Sequence, residues 1–271
     1  MTPVGRQDSC TDESGMIRFD VVNESVYHAV LIVLFAFAPV VFAALFLIPA
    51  PYGRYARSDR GLRAKNAWFW MELPAVVVIF LFAVWSRHRS LLLVVFLLMW
   101  ETHYVYRTFI YSHLMRGGEE RRFPLILAAM AAVFNCLNGY ANGYHLYHGD
   151  HIYRSSWIYD PRFIFGLLLF FVGLIIHIDS DSRLRRLRRE HDTGYLVPRG
   201  GMFEFVSAPN YFGEIVQWIG WAIATWSLAG LAFAAFTIAN LLPRGISHHR
   251  WYRSIYDTYP EKRKAIIPFL L

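Results

Sequence analysis

Cysteine and charged residues are both scarce in this chain of 271 residues. It has only two cysteines, Cys10 and Cys136, and neither stands in a CxxC motif or a Cys/His cluster. Two isolated thiols exclude a multi-bridge disulfide scaffold and a structural zinc module, and we expect no metal site. Charged residues make up only 17% of the chain, whereas hydrophobic residues make up 56%. This balance is typical of an integral membrane protein.

Sequence patterns of several other classes are also missing. No GxGxxG segment follows a strand-like run, so a Rossmann cofactor domain is not expected. No repeat of roughly 20 to 50 residues is visible, which argues against a solenoid. Lys and Arg exceed Asp and Glu by 27 to 20, but a content of 17% aromatic residues does not fit a disordered nucleic-acid tail. We expect no nucleic-acid partner, and no obligate protein partner is evident.

Seven apolar runs divide most of the chain. The first, residues 27–48, lacks Asp, Glu, Lys and Arg, and it is long enough to cross roughly 30 Å of hydrocarbon as a helix. It begins late for a cleaved signal peptide and follows an acidic segment, so we interpret it as a retained span. The last two runs abut near Ser227, which favours a tight helical hairpin. The later runs are 68–85, 91–111, 123–147, 163–178, 211–227 and 228–242.

The distribution of basic residues predicts the orientation of these spans, because short cytoplasmic loops carry an excess of Lys and Arg. The loops after the first, third and fifth runs and the C-terminal tail hold five, three, six and six basic residues, twenty of the 27. The opposite side holds six. We therefore predict an all-α bundle of seven transmembrane helices with its N-terminus outside and its C-terminus cytosolic. Residues 1–25 form an N-terminal extension, and residues 26–271 form one domain.

Polar groups inside the apolar runs are functional candidates, because charge is costly in hydrocarbon. Structural roles compete with function: Glu101 can pair with Arg107, and Glu72 near a helix start suits the helix dipole. Glu214 is a further candidate. Residues of the third run recur at helical spacing on a cationic, hydroxyl-rich face, and the fourth run adds amides, so we expect an internal polar cavity. These residues are Tyr104, Arg107, Thr108 and Tyr111, then Asn135, Asn138 and Asn142.

The segment 183–189 places leucines three apart among arginines, like an amphipathic helix at the membrane surface. Attraction to anionic lipid headgroups explains most of its charge. A bound polyanion is the sharper hypothesis, because the flanking residues mix acceptors and donors that lipid binding does not require. Those flanking residues include Asp179, Asp181, Tyr195, Asn210 and Glu214.

Several segments together resemble the steroid 5α-reductases, the 3-oxo-5α-steroid 4-dehydrogenases, and most closely their type 2 branch. The combination of Glu72-Leu73-Pro74 with the His-Tyr-x-x-Arg-Thr-Phe pattern of residues 103–109 is the most specific signal. The resemblance covers most of the chain from residue 50 onwards, and residues 1–25 match nothing in it. The matching segments are 67–74, 103–111, 195–201, 207–214, 218–226, 248–252 and 259–268.

The resemblance implies an enzyme that uses NADPH to reduce the double bond between carbons 4 and 5 of a 3-oxo-4-ene steroid. It implies that Glu72 and Tyr104 hold the 3-oxo group. Residues that would line the steroid pocket with them are Tyr52, Trp68 and Phe134. Residues that would contact NADPH are Arg107, Tyr111, Arg116, Asp181, Arg188, Tyr195, Asn210, Glu214, His248, Tyr252 and Arg263. The chain departs from the type 2 pattern at His177, Leu196 and Gln217, which replace Asn, Arg and Glu.

This implied chemistry agrees with general principles. Hydride addition to an enone develops negative charge on the carbonyl oxygen, which donors in a dry site stabilise. The Tyr104 hydroxyl is one donor, and the Glu72 carboxyl is another if an apolar pocket keeps it neutral. Without a Rossmann fold, NADPH would lie in a cavity of the bundle that opens to the cytosol.

Other classes stay open at this point. Another membrane reductase, acting on a polyprenal, an enoyl thioester or a sterol ring, shares some of these motifs, as does a prenylcysteine methyltransferase, which would not need Glu72 and Tyr104. A lipid or steroid transporter would be expected to show broken helices and inverted repeats, which are not seen. The expected partners are a hydrophobic enone and membrane lipid. The expected location is the endoplasmic reticulum membrane in a eukaryote or the inner membrane in a bacterium.

The predicted orientation can be tested with a cysteine at Ser182 in a background that lacks both native cysteines. With the protein in a bacterial inner membrane, an impermeant thiol reagent should label this cysteine only after permeabilisation, because the loop is cytosolic. A cysteine at Arg154, in a loop on the opposite side, should be labelled from outside and serves as the control. Labelling at Ser182 from outside intact cells would contradict the orientation.

Overall fold

The computed structural model describes residues 23–51, 55, 60–115, 120–148, 153–190 and 196–271. Within these ranges a long helical segment covers each of the seven predicted runs, and the all-helical class is confirmed. Only a two-residue antiparallel pair of strands, β1 (Leu62–Arg63) with β2 (Arg122–Phe123), departs from it. The helices are α1 (Glu24–Leu47), α2 (Ala64–Trp85), α3 (Leu91–Val105), α4 (Leu125–Tyr147), α5 (Pro161–Glu190), α6 (Pro209–Thr225) and α7 (Leu228–Ile255).

Five of these helices are long and apolar enough to cross a membrane: α1, α2, α4, α5 and α7. α6 has 17 residues, and α3 has 15 before it continues through a π-helical turn at Tyr106–Tyr111 and a final turn at Ser112–Leu114. Large apolar side chains such as Ile32 and Leu168 lie exposed on the helices. The helices therefore fit a membrane protein, whereas the seven crossings and their orientation stay predictions.

The arginine-rich segment 183–189 is helical, as the spacing of its leucines suggested. It is the last part of α5, which runs without interruption for 30 residues. No Gly or Pro separates the apolar part from the arginines, and an ion pair of 2.7 Å between Arg183 and Asp179, one turn apart, supports the continuous helix. A helix of this length spans about 45 Å, so it is longer than the hydrocarbon core.

The predicted hairpin between the last two helices is confirmed. α6 ends where Trp226 adopts a left-handed conformation with φ of 46°. The Ser227 side chain then accepts a hydrogen bond of 2.9 Å from the Gly230 backbone and caps the start of α7.

Arg162 secures this turn to the start of α5. Its guanidinium lies 4.3 Å from the Trp157 ring centroid and 5.0 Å from that of Trp226. It also donates to both carboxylate oxygens of Asp160, at 2.9 and 2.8 Å, and these hydrogen bonds lower the pKa of Asp160 to about 2. The pair is therefore charged at any physiological pH, at the end of α5 opposite to the arginine-rich segment.

α5 and α6 approach each other closely along two pairs of glycines. A Cβ atom added at Gly173 would lie 2.3 Å from the Gln217 backbone nitrogen, and one added at Gly213 would lie 2.6 Å from that of His177. Small residues that bring helix backbones together are a common device in membrane bundles. Here the close approach places the polar residues of α5 beside those of α6. The second pair, seven residues along each helix, is Gly166 with Gly220.

Gly173→Ala should therefore destabilise the protein by about 1–3 kcal/mol, the usual cost of overpacking, because the added methyl group meets backbone that cannot rotate away. Gly139→Ala is the matched control, since its added Cβ would meet the Val78 side chain at 3.2 Å rather than backbone. Unfolding in detergent measures both variants. Equal stability of Gly173→Ala and the wild type would show that the helices can separate without cost.

Candidate active site

The C-terminal end of α3 brings predicted aromatic and cationic groups into the interior of the bundle. The Tyr104 ring is buried against Trp100, with ring centroids 4.9 Å apart. The chain then enters the π-helical turn, where the Arg107 guanidinium lies 4.9 Å from the Trp68 ring centroid and 5.2 Å from that of Tyr111. Such turns are rare and occur frequently at functional sites. The inward orientation predicted for this face is confirmed.

Glu72 and Arg107 form a buried ion pair between α2 and α3. The Arg107 Nη2 and Nε atoms donate to Glu72 Oε1 at 2.9 and 3.3 Å. On the other side, the Asn135 amide donates to Glu72 Oε2 at 3.3 Å and to the Met71 carbonyl at 2.6 Å. Glu72 therefore has polar partners on both sides. The alternative pairing of Arg107 with Glu101 is wrong, because Arg107 is bound to Glu72 and both buried Glu101 oxygens lack a hydrogen bond within the described residues.

A second polar cluster lies where α5 meets the start of α6. The Asn210 amide donates to Asp181 Oδ1 at 3.2 Å, and the Asn210 carbonyl lies 3.2 Å from His177 Nδ1. The His177 ring also lies 3.6 Å from Asp181 and 3.7 Å from Glu214, measured between nitrogen and oxygen. Three of the predicted cofactor residues are thus brought together around His177, a position where the chain departs from the type 2 pattern.

Buried side chains connect this cluster with α3. His103 Nδ1 pairs with Gln217 Oε1 at 3.1 Å, and the His103 ring lies 5.6 Å from that of His177. Further along, Arg185 donates to the Tyr106 hydroxyl at 3.0 Å. The contact between His103 and Gln217 was not predicted, because 114 residues separate the two and no local pattern relates them.

His248, Tyr252 and Arg263 lie in the region of α7 and the C-terminal tail. His248 Nε2 is 3.1 Å from the Tyr211 hydroxyl. Tyr252 stacks on Tyr259 at 5.5 Å, and the buried Arg263 guanidinium lies 5.1 Å from that same ring. Tyr252 and Arg263 thus share the Tyr259 ring, whereas His248 contacts Tyr211, the residue that follows Asn210 in the chain.

The chain between α5 and α6 passes beside both regions. Arg263 donates to the Pro198 carbonyl at 3.1 Å. Three residues later, a Cβ added at Gly201 would lie 2.9 Å from Asp179 Oδ2 and 2.9 Å from Arg183 Nε. Gly201 has a φ of +56°, so both the backbone conformation and the space favour glycine there. This segment therefore contacts the tail through Pro198 and the arginine-rich end of α5 through Gly201.

The remaining predicted residues divide into two groups. Trp68 lies beside Arg107, whereas Phe134 stacks on Phe236 with ring centroids 4.0 Å apart. Arg188 is partly buried near the end of α5. Among the described residues, no group of three His, Cys, Asp or Glu side chains is arranged to hold a metal ion. Tyr52, Arg116 and Tyr195 lie outside the described residues.

The chain is similar to known proteins along most of its length. A family model described as 3-oxo-5-alpha-steroid 4-dehydrogenase matches residues 121–271. The type 1 protein of that name from Homo sapiens is 45% identical over 224 residues, which are 81% of this chain and 85% of the relative. Steroid 5-alpha-reductase DET2 of Arabidopsis thaliana is 38% identical over 263 residues, 93% of this chain and 99% of the relative.

A type 2 relative is similar to the same degree. The 3-oxo-5-alpha-steroid 4-dehydrogenase 2 of Rattus norvegicus is 43% identical over 229 residues, 82% of this chain and 88% of the relative. The identities to types 1 and 2 are nearly equal, so they do not separate the two branches.

The buried ion pair leads to a stability prediction. Arg107→Met should destabilise the protein by about 3–5 kcal/mol, because it leaves the Glu72 carboxylate buried without its charged partner. Arg183→Met is the matched control: its pair with Asp179 is 39% and 44% exposed, so its loss should cost less than about 1 kcal/mol. Unfolding in detergent compares the two. Equal losses would contradict the assignment of Arg107 as the essential partner of Glu72.

Proposed function

This chain belongs to the 3-oxo-5-alpha-steroid 4-dehydrogenase family of oxidoreductases, and from that premise we propose that it reduces the double bond between carbons 4 and 5 of a 3-oxo-4-ene steroid with NADPH. The observation that carries the proposal is that Tyr104 is buried inside the bundle only three residues before Arg107, which forms the ion pair with Glu72. A hydroxyl donor and a charged pair in the same buried region suit an enone whose oxygen gains negative charge.

Tyr104 is the donor with the simpler role. Its ring is fixed by Trp100 and Trp218, with centroids 4.9 and 5.7 Å away, so the hydroxyl loses little freedom when a substrate arrives. A donor that is held in place before the reaction stabilises the developing oxyanion without reorganisation. We assign to Tyr104 the hydrogen bond to the 3-oxo oxygen.

Glu72 is held from two sides, by Arg107 on one and by Asn135 on the other. It keeps the Arg107 guanidinium in the site, and the positive charge of Arg107 favours the enolate form of the substrate. The family resemblance implies that Glu72 also holds the 3-oxo oxygen.

The described residues fit a nicotinamide cofactor. Buried polar atoms nearly always have a hydrogen-bond partner, yet Asp181 Oδ2, His177 Nε2 and Gln217 Nε2 make no hydrogen bond within the described protein, although His177 Nε2 lies 3.6 Å from Asp181 Oδ2. These acceptors and donors suit the carboxamide and hydroxyl groups of a dinucleotide. Arg263 likewise has two buried nitrogens without partners, and a guanidinium suits a phosphate. When bound, the cofactor supplies the hydride.

The residues that would hold the cofactor lie near the buried polar atoms of Asp181, His177, Gln217 and Arg263 and at the arginine-rich end of α5. The basic excess of the loops makes this end cytosolic, which gives soluble NADPH access to the site. The membrane would be that of the endoplasmic reticulum in a eukaryote or the inner membrane in a bacterium. The full proposed set is Arg107, Tyr111, Arg116, Asp181, Arg188, Tyr195, Asn210, Glu214, His248, Tyr252 and Arg263, with Tyr52, Trp68 and Phe134 for the steroid.

The proposal is tested by incubating the protein in detergent with NADPH and testosterone, progesterone or a polyprenal, and by identifying the products. We expect 5α-reduced steroids. Tyr104→Phe removes only a hydroxyl, so it should keep the fold but lower kcat by about a hundredfold or more. Reduction of the polyprenal alone would contradict the steroid assignment. A raised steroid KM with normal kcat would make Tyr104 a ground-state contact instead.

Cofactor choice is a separate prediction. The wild type should prefer NADPH to NADH, because arginines bind the additional 2′-phosphate. At least one of Arg116→Ala, Arg188→Ala and Arg263→Ala should weaken the use of NADPH more than that of NADH. Arg154→Ala is the control, since Arg154 is exposed at the opposite end of α5. Equal use of both nicotinamides by the wild type would show that these arginines serve topology and lipid contact.

A further inference from the structure

Ser207 is a buried residue that lies just before the start of α6. Its hydroxyl oxygen lies 2.6 Å from His249 Nδ1, 2.7 Å from the Tyr259 hydroxyl and 3.0 Å from the Lys264 carbonyl oxygen. His249 belongs to α7, whereas Tyr259 and Lys264 belong to the C-terminal tail. One hydroxyl group thus joins three segments of the chain.

The Lys264 carbonyl fixes the direction of these hydrogen bonds. A carbonyl oxygen can only accept, so the Ser207 hydroxyl donates its single proton to Lys264. The Ser207 oxygen must then accept from the Tyr259 hydroxyl and from a protonated His249 Nδ1. The whole hydrogen-bonding capacity of this hydroxyl is used inside the protein, which indicates that it holds the tail and takes no direct part in chemistry.

Backbone hydrogen bonds attach the same part of the tail. The Ser207 nitrogen donates to the Lys264 carbonyl at 2.9 Å, and the Lys264 nitrogen donates to the Phe205 carbonyl at 2.8 Å. The tail therefore lies along residues 205–208 as a short extended segment. Asn210 of the second polar cluster follows only three residues after Ser207, so the tail is attached close to that cluster.

Arg263 lies between the two tail residues that Ser207 holds. Its guanidinium is 5.1 Å from the Tyr259 ring centroid, and Lys264 is the next residue in the chain. Arg263 Nη1 donates to the Pro198 carbonyl, whereas the buried Nε and Nη2 atoms make no hydrogen bond within the described residues. A buried guanidinium with two unused donor atoms fits an anion.

We propose that Ser207 is a positioning residue for cofactor binding, which acts through Tyr259 and Lys264 to hold the Arg263 guanidinium in place for a phosphate group of NADPH. This inference rests on the proposed function, because it takes the anion to be part of that cofactor. A guanidinium that is fixed before the phosphate arrives binds it at a smaller entropic cost. The loss of Ser207 should therefore weaken cofactor binding and leave the reduction step intact.

The test measures the KM for NADPH, the KM for the steroid and kcat for Ser207→Ala. We expect the KM for NADPH to rise about three- to tenfold, the worth of one neutral hydrogen bond, while the other two values change little. In an Arg263→Ala background, Ser207→Ala should raise the KM for NADPH much less, because no guanidinium remains to be positioned. A purely structural role would give the same factor in both backgrounds.

Ser86→Ala is the matched control. Ser86 is also buried, and its hydroxyl donates to a backbone carbonyl, that of Tyr147 at 3.1 Å, but it lies where α2 ends and contacts the end of α4. Its KM for NADPH should stay near that of the wild type.

Tyr259→Phe is a second variant that tests the inference even if Ser207→Ala fails to fold. It keeps the ring beside Arg263 and removes only the hydrogen bond to Ser207. The KM for NADPH should again rise, and again much less in the Arg263→Ala background.

Two outcomes separate this inference from the proposed function. If the wild type reduces the steroid with NADPH, but Ser207→Ala and Tyr259→Phe leave the KM for NADPH unchanged or raise it equally in both backgrounds, the inference is overturned and the proposed function stands. If the wild type does not reduce the steroid with NADPH, the proposed function fails, and the inference fails with it.

Discussion

A polar side chain inside hydrocarbon must find its partner within the protein, and this constraint organises the whole bundle. Glu72 meets it by pairing with Arg107 across α2 and α3, and Asn135 on α4 completes the contacts of the carboxylate. The Glu72 carboxyl group thus links three helical segments to one another. The glycine contacts between α5 and α6 serve the same end, because only a close approach of the two backbones lets His177 reach Asn210.

The same constraint explains why the candidate site has two parts. The part around Tyr104 is enclosed by aromatic rings and suits an apolar enone. The part around Asp181 is polar and lies next to the arginine-rich end of α5. His103 lies between them, next to Tyr104 in the chain and 5.6 Å from the ring of His177. Under the proposed function, the apolar steroid would occupy the first part and the cofactor the second.

Much of this architecture could be predicted from the sequence, because apolar runs and the spacing of polar residues are local patterns. The seven helical segments, the turn near Ser227 and the inward face of Tyr104 and Arg107 follow from such patterns. The partner of Arg107 did not: Glu101 is six residues away and Glu72 is thirty-five, and only the packing of α2 on α3 decides between them. For the same reason, the sequence could not predict the contacts of His103 with Gln217 and of Trp221 with Asn142. The periodicity of residues 183–189 predicts a helix but does not show that this helix continues α5 without interruption.

Infrared difference spectroscopy can show whether Tyr104 polarises the carbonyl of the proposed substrate inside the bundle. The measurement uses a 3-oxo-4-ene steroid labelled with oxygen-18 at the 3-oxo group, bound to the wild type and to Tyr104→Phe. We expect the carbonyl stretch of the bound steroid at a lower frequency than in an apolar solvent, and we expect Tyr104→Phe to reverse a large part of this shift. A carbonyl frequency equal to that in the apolar solvent, or a shift that Tyr104→Phe leaves intact, would show that Tyr104 does not polarise the carbonyl.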